Sequence, residues 1–447
     1  MQHQIFRPLV FLIPLLACHW ASAWYPHGQK YENWQKDRPL TFGAWHNCTT
    51  ADGRVEDRIA RFKAAGLNDF LWIKANHTKW YRAAHEAGLS WRTSMRGSHK
   101  SLSEIVKATP GCAAIMTAYG PYDTEDELED LAEWAAWSRK AFPDLISYAI
   151  LLDRAFDYDR YIEICTPDIL AVEKFPIGAD GIADAAYFAW LAKVASVARR
   201  NHLPLWVTVQ SFEKIVAKPR LPSFAASQLD EATMRLQAFL SLAHGAAGMH
   251  FFMYYGYELS MVVDLGTADP GSPGSGLPTK YENTVRTRSW YAVRDMAPEV
   301  LILGRALLNL RSTGPVTYAG VVPENSKAFE GHGKLLSASV ANDAAGPLAV
   351  GLFDDREAEQ YFMVVNLVHG PRTSKLDAAR TVQLTFKDDV ETIERLSRHT
   401  GLVETLATNA AEDGSRFVEF HLEGGTGDLF KWANGKPWTL RPREATP

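Results

Sequence analysis

The 447-residue sequence lacks the features that identify several common classes of protein. Its formal net charge is only −5, so no basic face indicates a nucleic-acid partner. No glycine-rich phosphate loop follows the first predicted strand, as the nucleotide-binding crevice of a doubly wound sheet would require. The cysteines and histidines match no metal-ligand spacing, and we therefore expect neither a metal nor a cofactor.

Cysteine is scarce, with four residues in the whole chain. One of them, Cys18, falls in a predicted export signal. The remaining Cys48, Cys112 and Cys165 are an odd number, so the mature chain holds at most one internal disulfide. Cys112 and Cys165 each precede a predicted strand and are expected near the same end of the fold. They either pair with each other or stay reduced and buried.

Long apolar runs are also missing, apart from one at the N-terminus. A basic residue precedes the apolar residues 9–17, and residues 21–23 read Ala-Ser-Ala, a small-residue cleavage site. The run is too short to span a bilayer as a helix, and no other stretch approaches that length. We therefore expect a signal peptide cleaved after Ala23 and a secreted or periplasmic protein. The segment Leu-Leu-Ala-Cys ending at Cys18 also resembles a bacterial lipoprotein box, so a lipid anchor there is the alternative.

Apolar and aromatic residues are abundant. Hydrophobic residues make up 47% of the sequence, enough to fill a large core, and the length suggests two domains. The chain contains 14 tryptophans and 16 tyrosines. Because sugar-binding clefts use aromatic faces as platforms, this number points toward a carbohydrate partner. The alternative is that these residues fill the core and rim of the protein.

The stretch from Arg199 to Gly256 shows the repeating unit of the fold. Residues 203–212 form an almost uninterrupted apolar run, typical of a strand that is covered on both faces. Apolar residues then recur at helical spacing from Leu236 to Ala243, and Gly245 follows where the helix ends. A second apolar run covers residues 249–255. Two strands joined by a helix-length crossover pair in parallel.

The same strand–helix unit recurs eight times before the pattern changes. This uninterrupted alternation predicts an α/β fold with a closed (β/α)8 TIM barrel. The predicted strands cover residues 41–46, 69–74, 89–95, 113–119, 145–152, 168–175, 203–212 and 249–255.

After Arg311 the sequence consists of short apolar runs separated by turn residues. Strands at this spacing predict an all-β sandwich, which we expect to support the barrel rather than to bind substrate. We therefore divide the chain into a signal peptide (1–23), a (β/α)8 barrel of catalytic type (24–311) and a C-terminal β-sandwich domain (312–447).

The functional site of a (β/α)8 barrel lies where the strands end and the βα loops begin. Polar and aromatic side chains at these positions are therefore the candidates for substrate contact. Tyr254 and Tyr255 are expected to form an aromatic floor of the cleft. The predicted substrate-binding residues are His46, Lys74, His77, Arg96, Tyr119, Gln210, Tyr254, Tyr255 and Glu258.

Carboxylates at the same strand ends suggest a reaction. Cleavage of a glycosidic bond needs two, one protonated and one ionised, about 5–10 Å apart. Glu173 closes an otherwise apolar strand, where an unpaired carboxylate is costly unless it has a role, and Asp123 follows the fourth strand. We predict these two as the leading catalytic pair, with Glu213 and Asp153 in reserve. The alternatives are an ion pair of Glu173 with Arg96, Lys74 or Lys174, a helix-capping role for Asp123, and a loop charge for Glu213.

Three segments carry a resemblance to a known group of enzymes: PDILAVEKFP (167–176), PLWVTVQSF (204–212) and RLQAFLSLAHGAAGMHFFMYY (235–255). In this order they resemble the barrel of bacterial glycoside hydrolases of the broad β-galactosidase-like group. The likeness covers residues 40–310, and the β-domain that follows also resembles theirs. The resemblance implies a barrel that hydrolyses glycosidic bonds, and Glu173 matches the acidic position at the tip of the sixth strand.

The fourth and seventh strands depart from that group. Its members commonly carry Asp-Glu-Pro at the end of the fourth strand, where the Glu is the general acid, and many place a nucleophilic Glu at the end of the seventh. Here the fourth strand ends in TAYGP (117–121), with no carboxylate before Asp123, and the seventh ends in Gln210. The resemblance therefore supports the fold more strongly than the mechanism.

Two functions from different classes follow. The first is an extracytoplasmic glycoside hydrolase that cleaves an oligo- or polysaccharide with paired carboxylates at the barrel mouth. The second is a barrel that has lost hydrolysis and holds a glycan through aromatic side chains, His77 and Gln210. The end of the fourth strand discriminates between them, because it carries Ala118 and Tyr119 where the related enzymes have a carboxylate. The binding function is favoured if no other carboxylate converges on Glu173.

Overall fold

The computed structural model describes residues 27–46, 55–72, 78–94, 98–121, 124–153, 157–178, 180–212, 229–255, 261–264 and 284–442. The predicted signal peptide, Cys18 and Cys48 lie outside these residues. Within the described ranges, no helix is both long enough and apolar enough to cross a membrane.

Eight parallel strands form a closed barrel in the described chain, which confirms the predicted (β/α)8 architecture. Each strand pairs with the next along the chain, and the eighth pairs with the first to close the sheet. Both faces of the strands are buried, which explains their almost continuously apolar sequences. The strands are β1 (Thr41–His46), β2 (Asp69–Trp72), β3 (Ser90–Ser94), β4 (Cys112–Tyr119), β5 (Ile146–Leu152), β6 (Leu170–Glu173), β7 (Leu205–Gln210) and β8 (Ala246–Tyr255).

Helices surround the barrel and connect its strands. Ser98, Asp157 and Asp184 cap three of them through side-chain hydrogen bonds to backbone amides. Thr124 is the N-cap residue of a further helix, although its side chain makes no capping hydrogen bond. The described helices are α1 (Gln29–Gln35), α2 (Val55–Lys63), α3 (Thr78–Glu86), α4 (His99–Ala108), α5 (Glu125–Ala141), α6 (Tyr158–Cys165), α7 (Ala185–Arg200), α8 (Glu231–Ala243) and α9 (Arg288–Leu307).

Helix α1 precedes the first strand and is absent from the predicted elements. The indole N–H of Trp206, inside the barrel, donates a 3.3 Å hydrogen bond to the hydroxyl of Tyr31 on α1. Trp34 of the same helix donates to the carbonyl of Ala113 at 2.8 Å. Because Ala113 and Trp206 belong to the starts of β4 and β7, α1 covers the N-terminal end of the barrel.

The C-terminal strands form two antiparallel sheets packed face to face, which confirms the predicted β-sandwich. After the hairpin of β9 (Val262–Asp264) and β10 (Thr284–Arg286), the chain forms β11 (Arg311–Ser312), β12 (Thr317–Ala319), β13 (Leu335–Val340), β14 (Leu348–Asp354), β15 (Gln360–Asn366), β16 (Arg380–Phe386), β17 (Thr392–Leu396), β18 (Val403–Ala407), β19 (Asn409–Ala410), β20 (Arg416–Leu422) and β21 (Gly427–Trp432). One sheet has the order β11-β14-β15-β21-β17-β18, with β12 beside β14, and the other has the order β13-β16-β20-β19. Phe362 and Leu384 from the two sheets share one core.

Helix α8 packs between the barrel and the sandwich, and its residues from Ala232 to Ala243 are buried. Two glycines of the sandwich allow this close approach. A Cβ atom on Gly351 would lie 2.2 Å from the carbonyl oxygen of Ala243, and one on Gly425 would lie 2.0 Å from that of Ala232. Any side chain at these two positions would push the two domains apart.

Charged side chains are buried at this junction as a paired network. Arg235 on α8 donates two hydrogen bonds of 2.9 Å to Glu299 on α9. Arg398 of the sandwich donates a third to Glu299 at 3.0 Å and also pairs with Asp428 and Glu423. Buried charges are tolerated when each has its counter-charge, and here the pairs connect the two domains.

Cys112 and Cys165 are buried free thiols. Their sulfur atoms lie 3.7 Å and 3.5 Å from the carbonyl oxygens of Ala114 and Leu128, respectively. Of the two predicted alternatives for this pair, the structure shows the reduced and buried state.

We predict that Glu299→Gln destabilises the protein by about 3–5 kcal/mol, because Arg235 and Arg398 then remain buried without their shared counter-charge. Urea unfolding followed by tryptophan fluorescence measures the loss. The matched control is Asp389→Asn, which removes an exposed ion pair with Lys334 and should leave the unfolding curve unchanged. Equal effects of the two substitutions would contradict a stabilising role for the buried network.

Candidate active site

Glu173, the leading predicted carboxylate, is the last residue of β6 and lies at the C-terminal end of the barrel. The residue is only 2% exposed. The hydroxyl of Tyr119, the last residue of β4, donates a 2.7 Å hydrogen bond to Oε1 of Glu173. The other oxygen, Oε2, is buried and has no hydrogen-bond partner among the described residues. The structure thus brings together two predicted site residues from strands that flank β5.

Burial changes the ionisation of Glu173. Loss of hydration disfavours the carboxylate and raises the pKa of Glu173 from 4.5 to about 8, while the Tyr119 hydrogen bond offsets part of the rise. At neutral pH the carboxyl is therefore mostly protonated. A carboxyl that keeps its proton at neutral pH has the property required of a general acid.

Five aromatic side chains, which we call the mouth cluster, pack at this end of the barrel: Trp45, Tyr119, Phe175, Phe212 and Phe252. The Tyr119 ring lies 4.9 Å from Trp45 and 6.3 Å from Phe252, measured between ring centroids. Phe252 in turn contacts Phe175 at 5.2 Å and Phe212 at 5.9 Å. These rings make the barrel end apolar, which is consistent with the poor hydration of Glu173.

A second buried polar group lies nearer the N-terminal end of the barrel and contains no predicted site residue. Asp69, the first residue of β2, accepts a 2.5 Å hydrogen bond from Arg92 and lies 3.0 Å from Nε2 of His250. The Arg92 guanidinium lies 3.9 Å from the centroid of the Trp206 ring. Burial opposes ionisation of Asp69, but Arg92 and His250 outweigh it and hold the pKa of Asp69 below its usual range. This group is an internal ion pair of the barrel core.

Asp153, a reserve carboxylate, lies next to Glu173 along the sheet but on its other face. Leu152 is the register partner of Glu173, so the following residue on each strand points away from the barrel axis. There Asp153 forms an ion pair with Lys174, whose ammonium lies 5.8 Å from the centroid of the Trp190 ring on α7. The structure therefore separates Asp153 from Glu173, and Lys174 pairs with Asp153.

The side chain of Gln210 is buried and bonded to the backbone. Its Oε1 accepts a hydrogen bond from the Ile177 amide at 2.9 Å. Its Nε2 donates to the carbonyl oxygens of Ile177 at 3.3 Å and Phe212 at 3.2 Å. These bonds join the end of β7 to the loop after β6, so Gln210 holds in place the segment that follows Glu173.

His46, Tyr254 and Tyr255 form an aromatic cluster between the barrel and its outer helices. The His46 ring stacks on Tyr254 with 5.4 Å between centroids and lies 5.0 Å from Trp80 on α3. Burial, and then the neighbouring Arg58, lower the pKa of His46 well below its usual range. These three predicted residues are therefore not brought together with Glu173.

A β-bulge explains where the two tyrosines lie. Ala44 on β1 pairs with Phe251 on β8, but His46 pairs with Tyr255, so β8 contains two extra residues at this point. The strict alternation of β8 is lost there, and Tyr254 packs on the outer face. On β1 the alternation holds, which directs Trp45 into the barrel and His46 outward.

The remaining predicted site residues lie outside the described part of the chain and stay predictions: Lys74, His77, Arg96, Asp123, Glu213 and Glu258. Asp123 falls between the described residues Pro121 and Thr124, in the connection from β4 to α5. Glu213 directly follows Phe212 of the mouth cluster.

Sequence reasoning missed the aromatic side chains that surround the site. A search for polar strand ends selects His46 on β1, whereas alternation from Thr41 places Trp45 on the inner face. On β8 the same search selects Tyr254 and Tyr255 rather than Phe252. Within the described ranges, no group of three or more His, Cys, Asp or Glu side chains is arranged to hold a metal ion. The assembled site offers a protonated carboxyl, a phenol and aromatic faces.

Comparison with known proteins bears on the fold. No protein-family model matches the sequence, and no curated protein matches it significantly. Among solved structures, a glycoside hydrolase family 5 protein from Bacteroides vulgatus matches over 90% of this chain and 92% of its own, with 11% identity and a TM-score of 0.51.

Two further matches have lower TM-scores. A family 27 β-L-arabinopyranosidase from Geobacillus stearothermophilus is covered over 99% of its chain and 91% of this one, with 9% identity and a TM-score of 0.46. A β-galactosidase from the psychrophilic Marinomonas ef1 matches at 11% identity with a TM-score of 0.45, over 60% of this chain and 61% of its own. The fold is therefore shared with the family 5 structure, at 11% identity, and this match confirms the resemblance at the level of the fold.

We predict that Glu173 makes the stability of the protein fall as pH rises. Its pKa is higher in the folded state, so the folded protein holds one more proton than the unfolded chain between pH 4.5 and about 8. The stability that this extra proton contributes is fully present below pH 4.5 and is lost as the pH rises through about 8. Glu173→Gln removes it. The unfolding free energy of the variant, measured relative to that of wild type, should therefore increase by about 2–4 kcal/mol as the pH rises from roughly 5 to 8.

Urea unfolding at a series of pH values measures this difference. Glu163→Gln, on the exposed face of α6, is the matched control and should follow the wild-type curve at every pH. If the unfolding free energies of wild type and Glu173→Gln change equally with pH, Glu173 has an ordinary pKa and the prediction is wrong.

Proposed function

We propose that this protein is an extracytoplasmic glycoside hydrolase that cleaves glycosidic bonds in an oligo- or polysaccharide. The observation that carries the proposal is the buried Glu173 carboxyl, 2.7 Å from the Tyr119 hydroxyl, at the barrel end where (β/α)8 enzymes bind substrate. The fold shared with glycoside hydrolases supports the same reaction class by analogy.

Hydrolysis of a glycosidic bond needs a proton for the leaving oxygen and an attack on the anomeric carbon. Glu173 meets the first need, because its carboxyl keeps its proton at neutral pH. Asp123 is our leading choice for the second carboxylate, acting as the nucleophile or as the base that activates water. The hydrogen bond from Tyr119 ties the end of β4 to Glu173, and Asp123 follows Tyr119 in the loop after that strand.

The mouth cluster supports a carbohydrate substrate. Phe175 and Phe252 are partly exposed, and Tyr119 is 40% exposed. Aromatic rings beside a carboxyl suit the apolar faces and hydroxyl edges of a sugar ring. We therefore expect the glycone next to the scissile bond to lie against these rings.

A second candidate function is carbohydrate binding without hydrolysis. The observation that favours it is the orientation of Asp153, which faces the outer helices in an ion pair with Lys174. Of the four predicted carboxylates, the two that the structure describes therefore do not face one another. Hydrolysis requires that Asp123 or Glu213 supplies the second carboxylate. Binding without hydrolysis requires neither of them.

We predict that Glu173→Gln and Asp123→Asn each lower kcat/KM by about 10²–10⁴-fold, because each removes one of the two groups that the reaction needs. The measurement is hydrolysis of a broad panel of aryl glycosides and polysaccharides. Neither variant should lose thermal stability at neutral pH. Glu163→Gln is the control for the loss of an exposed carboxylate and should match wild type.

Two results would contradict the hydrolase proposal. If Glu173→Gln keeps an activity within tenfold of wild type, Glu173 takes no part in the chemistry. Saturable binding of a glycan by calorimetry, without turnover of any substrate in the panel, would establish the second function.

We also predict that bacterial expression with an intact export pathway yields a mature chain that begins at Trp24, because small residues precede it at the cleavage site. Intact-mass spectrometry of the extracytoplasmic fraction checks this expectation. A diacylated chain that begins at Cys18 would support the lipoprotein alternative, and a chain that retains its first 23 residues would contradict both.

A further inference from the structure

Glu173 is poorly placed to contact a substrate itself. Only 2% of the residue is exposed, whereas Tyr119, which hydrogen-bonds to it, is 40% exposed. A substrate that enters the end of the barrel therefore meets Tyr119 before it meets Glu173.

We propose that Tyr119 is the catalytic residue that contacts the glycosidic oxygen and passes to it a proton supplied by Glu173. The inference rests on the proposed hydrolase function and identifies the group that delivers the proton. The 2.7 Å distance between the Tyr119 oxygen and Oε1 of Glu173 is that of a direct hydrogen bond, so a proton can move between them without an intervening water.

The step conserves protons and electrons. When a glycosidic oxygen lies beside Tyr119, the hydroxyl turns from Oε1 of Glu173 to donate to that oxygen, and the protonated Oε1 then donates to the Tyr119 oxygen. The phenolic proton moves to the glycosidic oxygen while the bond from that oxygen to the anomeric carbon breaks, and the bonding electron pair leaves with the oxygen. The carboxyl proton of Glu173 moves to the Tyr119 oxygen, which stays neutral, and Glu173 becomes a carboxylate. The second carboxylate, or a water that it activates, bonds to the anomeric carbon. Where the second carboxylate forms a covalent intermediate, the water that hydrolyses it returns a proton to Glu173 through Tyr119. Where the second carboxylate activates the water directly, that carboxylate takes the water's proton, and proton exchange with solvent restores both groups.

Packing holds the Tyr119 hydroxyl in the position that this relay needs. The ring packs against Trp45 and Phe252 of the mouth cluster, at centroid distances of 4.9 Å and 6.3 Å, and these two rings also contact each other. Its backbone is the last residue of β4 and is in register with Ile150 on β5. The phenol is therefore a fixed part of the barrel end.

Two buried polar atoms beside Tyr119 support a functional site there. Oε2 of Glu173 and Nε1 of Trp45 are buried and have no hydrogen-bond partner among the described residues. Buried polar groups of folded proteins are normally paired, and a catalytic role or a bound water is one explanation of an exception. Both atoms belong to residues that touch Tyr119 directly.

The ionisation of Glu173 suits a relay. Burial raises the pKa of Glu173 to about 8, so at neutral pH its carboxyl has a proton to supply to the Tyr119 oxygen.

The experiment compares Tyr119→Phe, Glu173→Gln and the double variant on pairs of aryl glycosides. Each pair shares the glycone that wild type cleaves and differs in the leaving group, dinitrophenyl or phenyl. Dinitrophenolate leaves without protonation, whereas phenol needs the proton. Tyr291→Phe is the matched control, because Tyr291 on α9 has a similar exposure of 43% and lies outside the mouth cluster.

We expect both single variants to lose about 10²–10⁴-fold in kcat/KM on the phenyl glycoside and less than about tenfold on the dinitrophenyl glycoside. The double variant should be no slower than the slower single variant, because both act in one step. Tyr291→Phe should match wild type on both substrates.

Tyr119→Phe activity within tenfold of wild type on the phenyl glycoside, with Glu173→Gln inactive, would overturn the relay and leave the hydrolase proposal intact. Losses that multiply in the double variant, or that are equal for both leaving groups, would also overturn it. Absence of wild-type turnover on every substrate would overturn the hydrolase function and the relay with it.

Discussion

Closure of β8 against β1 is the constraint on which the rest of the structure depends. It brings the C-terminal ends of all eight strands around one opening, so Tyr119 on β4 and Glu173 on β6 meet although 54 residues separate them. The bulge in β8 at this closure turns Tyr254 toward the outer helices and leaves Phe252 at the opening. Helix α1 covers the other end.

Burial acts on two carboxyls of the barrel interior with opposite results. Asp69 is buried beside Arg92, and the guanidinium holds its pKa below the usual range. Glu173 is equally buried, but its described partner is the neutral Tyr119 hydroxyl, and desolvation raises its pKa to about 8. The neighbour decides the ionisation state in each case. The barrel therefore holds an ion pair toward one end and a carboxyl with a raised pKa at the other.

Much of the fold follows from the sequence because apolar runs and helical periodicity report burial, and every barrel strand lies within or close to its predicted residues. Helix α1 escaped prediction because seven residues are too few to show a period. Glu173 and Tyr119 could be predicted as strand ends of a parallel barrel. The bulge in β8 and the Asp153–Lys174 ion pair could not, since register and long-range pairing leave no local pattern.

The account depends most on the claim that Glu173 carries a proton at neutral pH. Infrared difference spectra between wild type and Glu173→Gln, recorded across a pH titration, test it directly. The protonated carboxyl has a carbonyl stretch that the carboxylate lacks. We predict that the Glu173 band persists at neutral pH and disappears with a midpoint near pH 8. A band that disappears near the ordinary value of 4.5 would contradict the assignment of Glu173 as the proton donor.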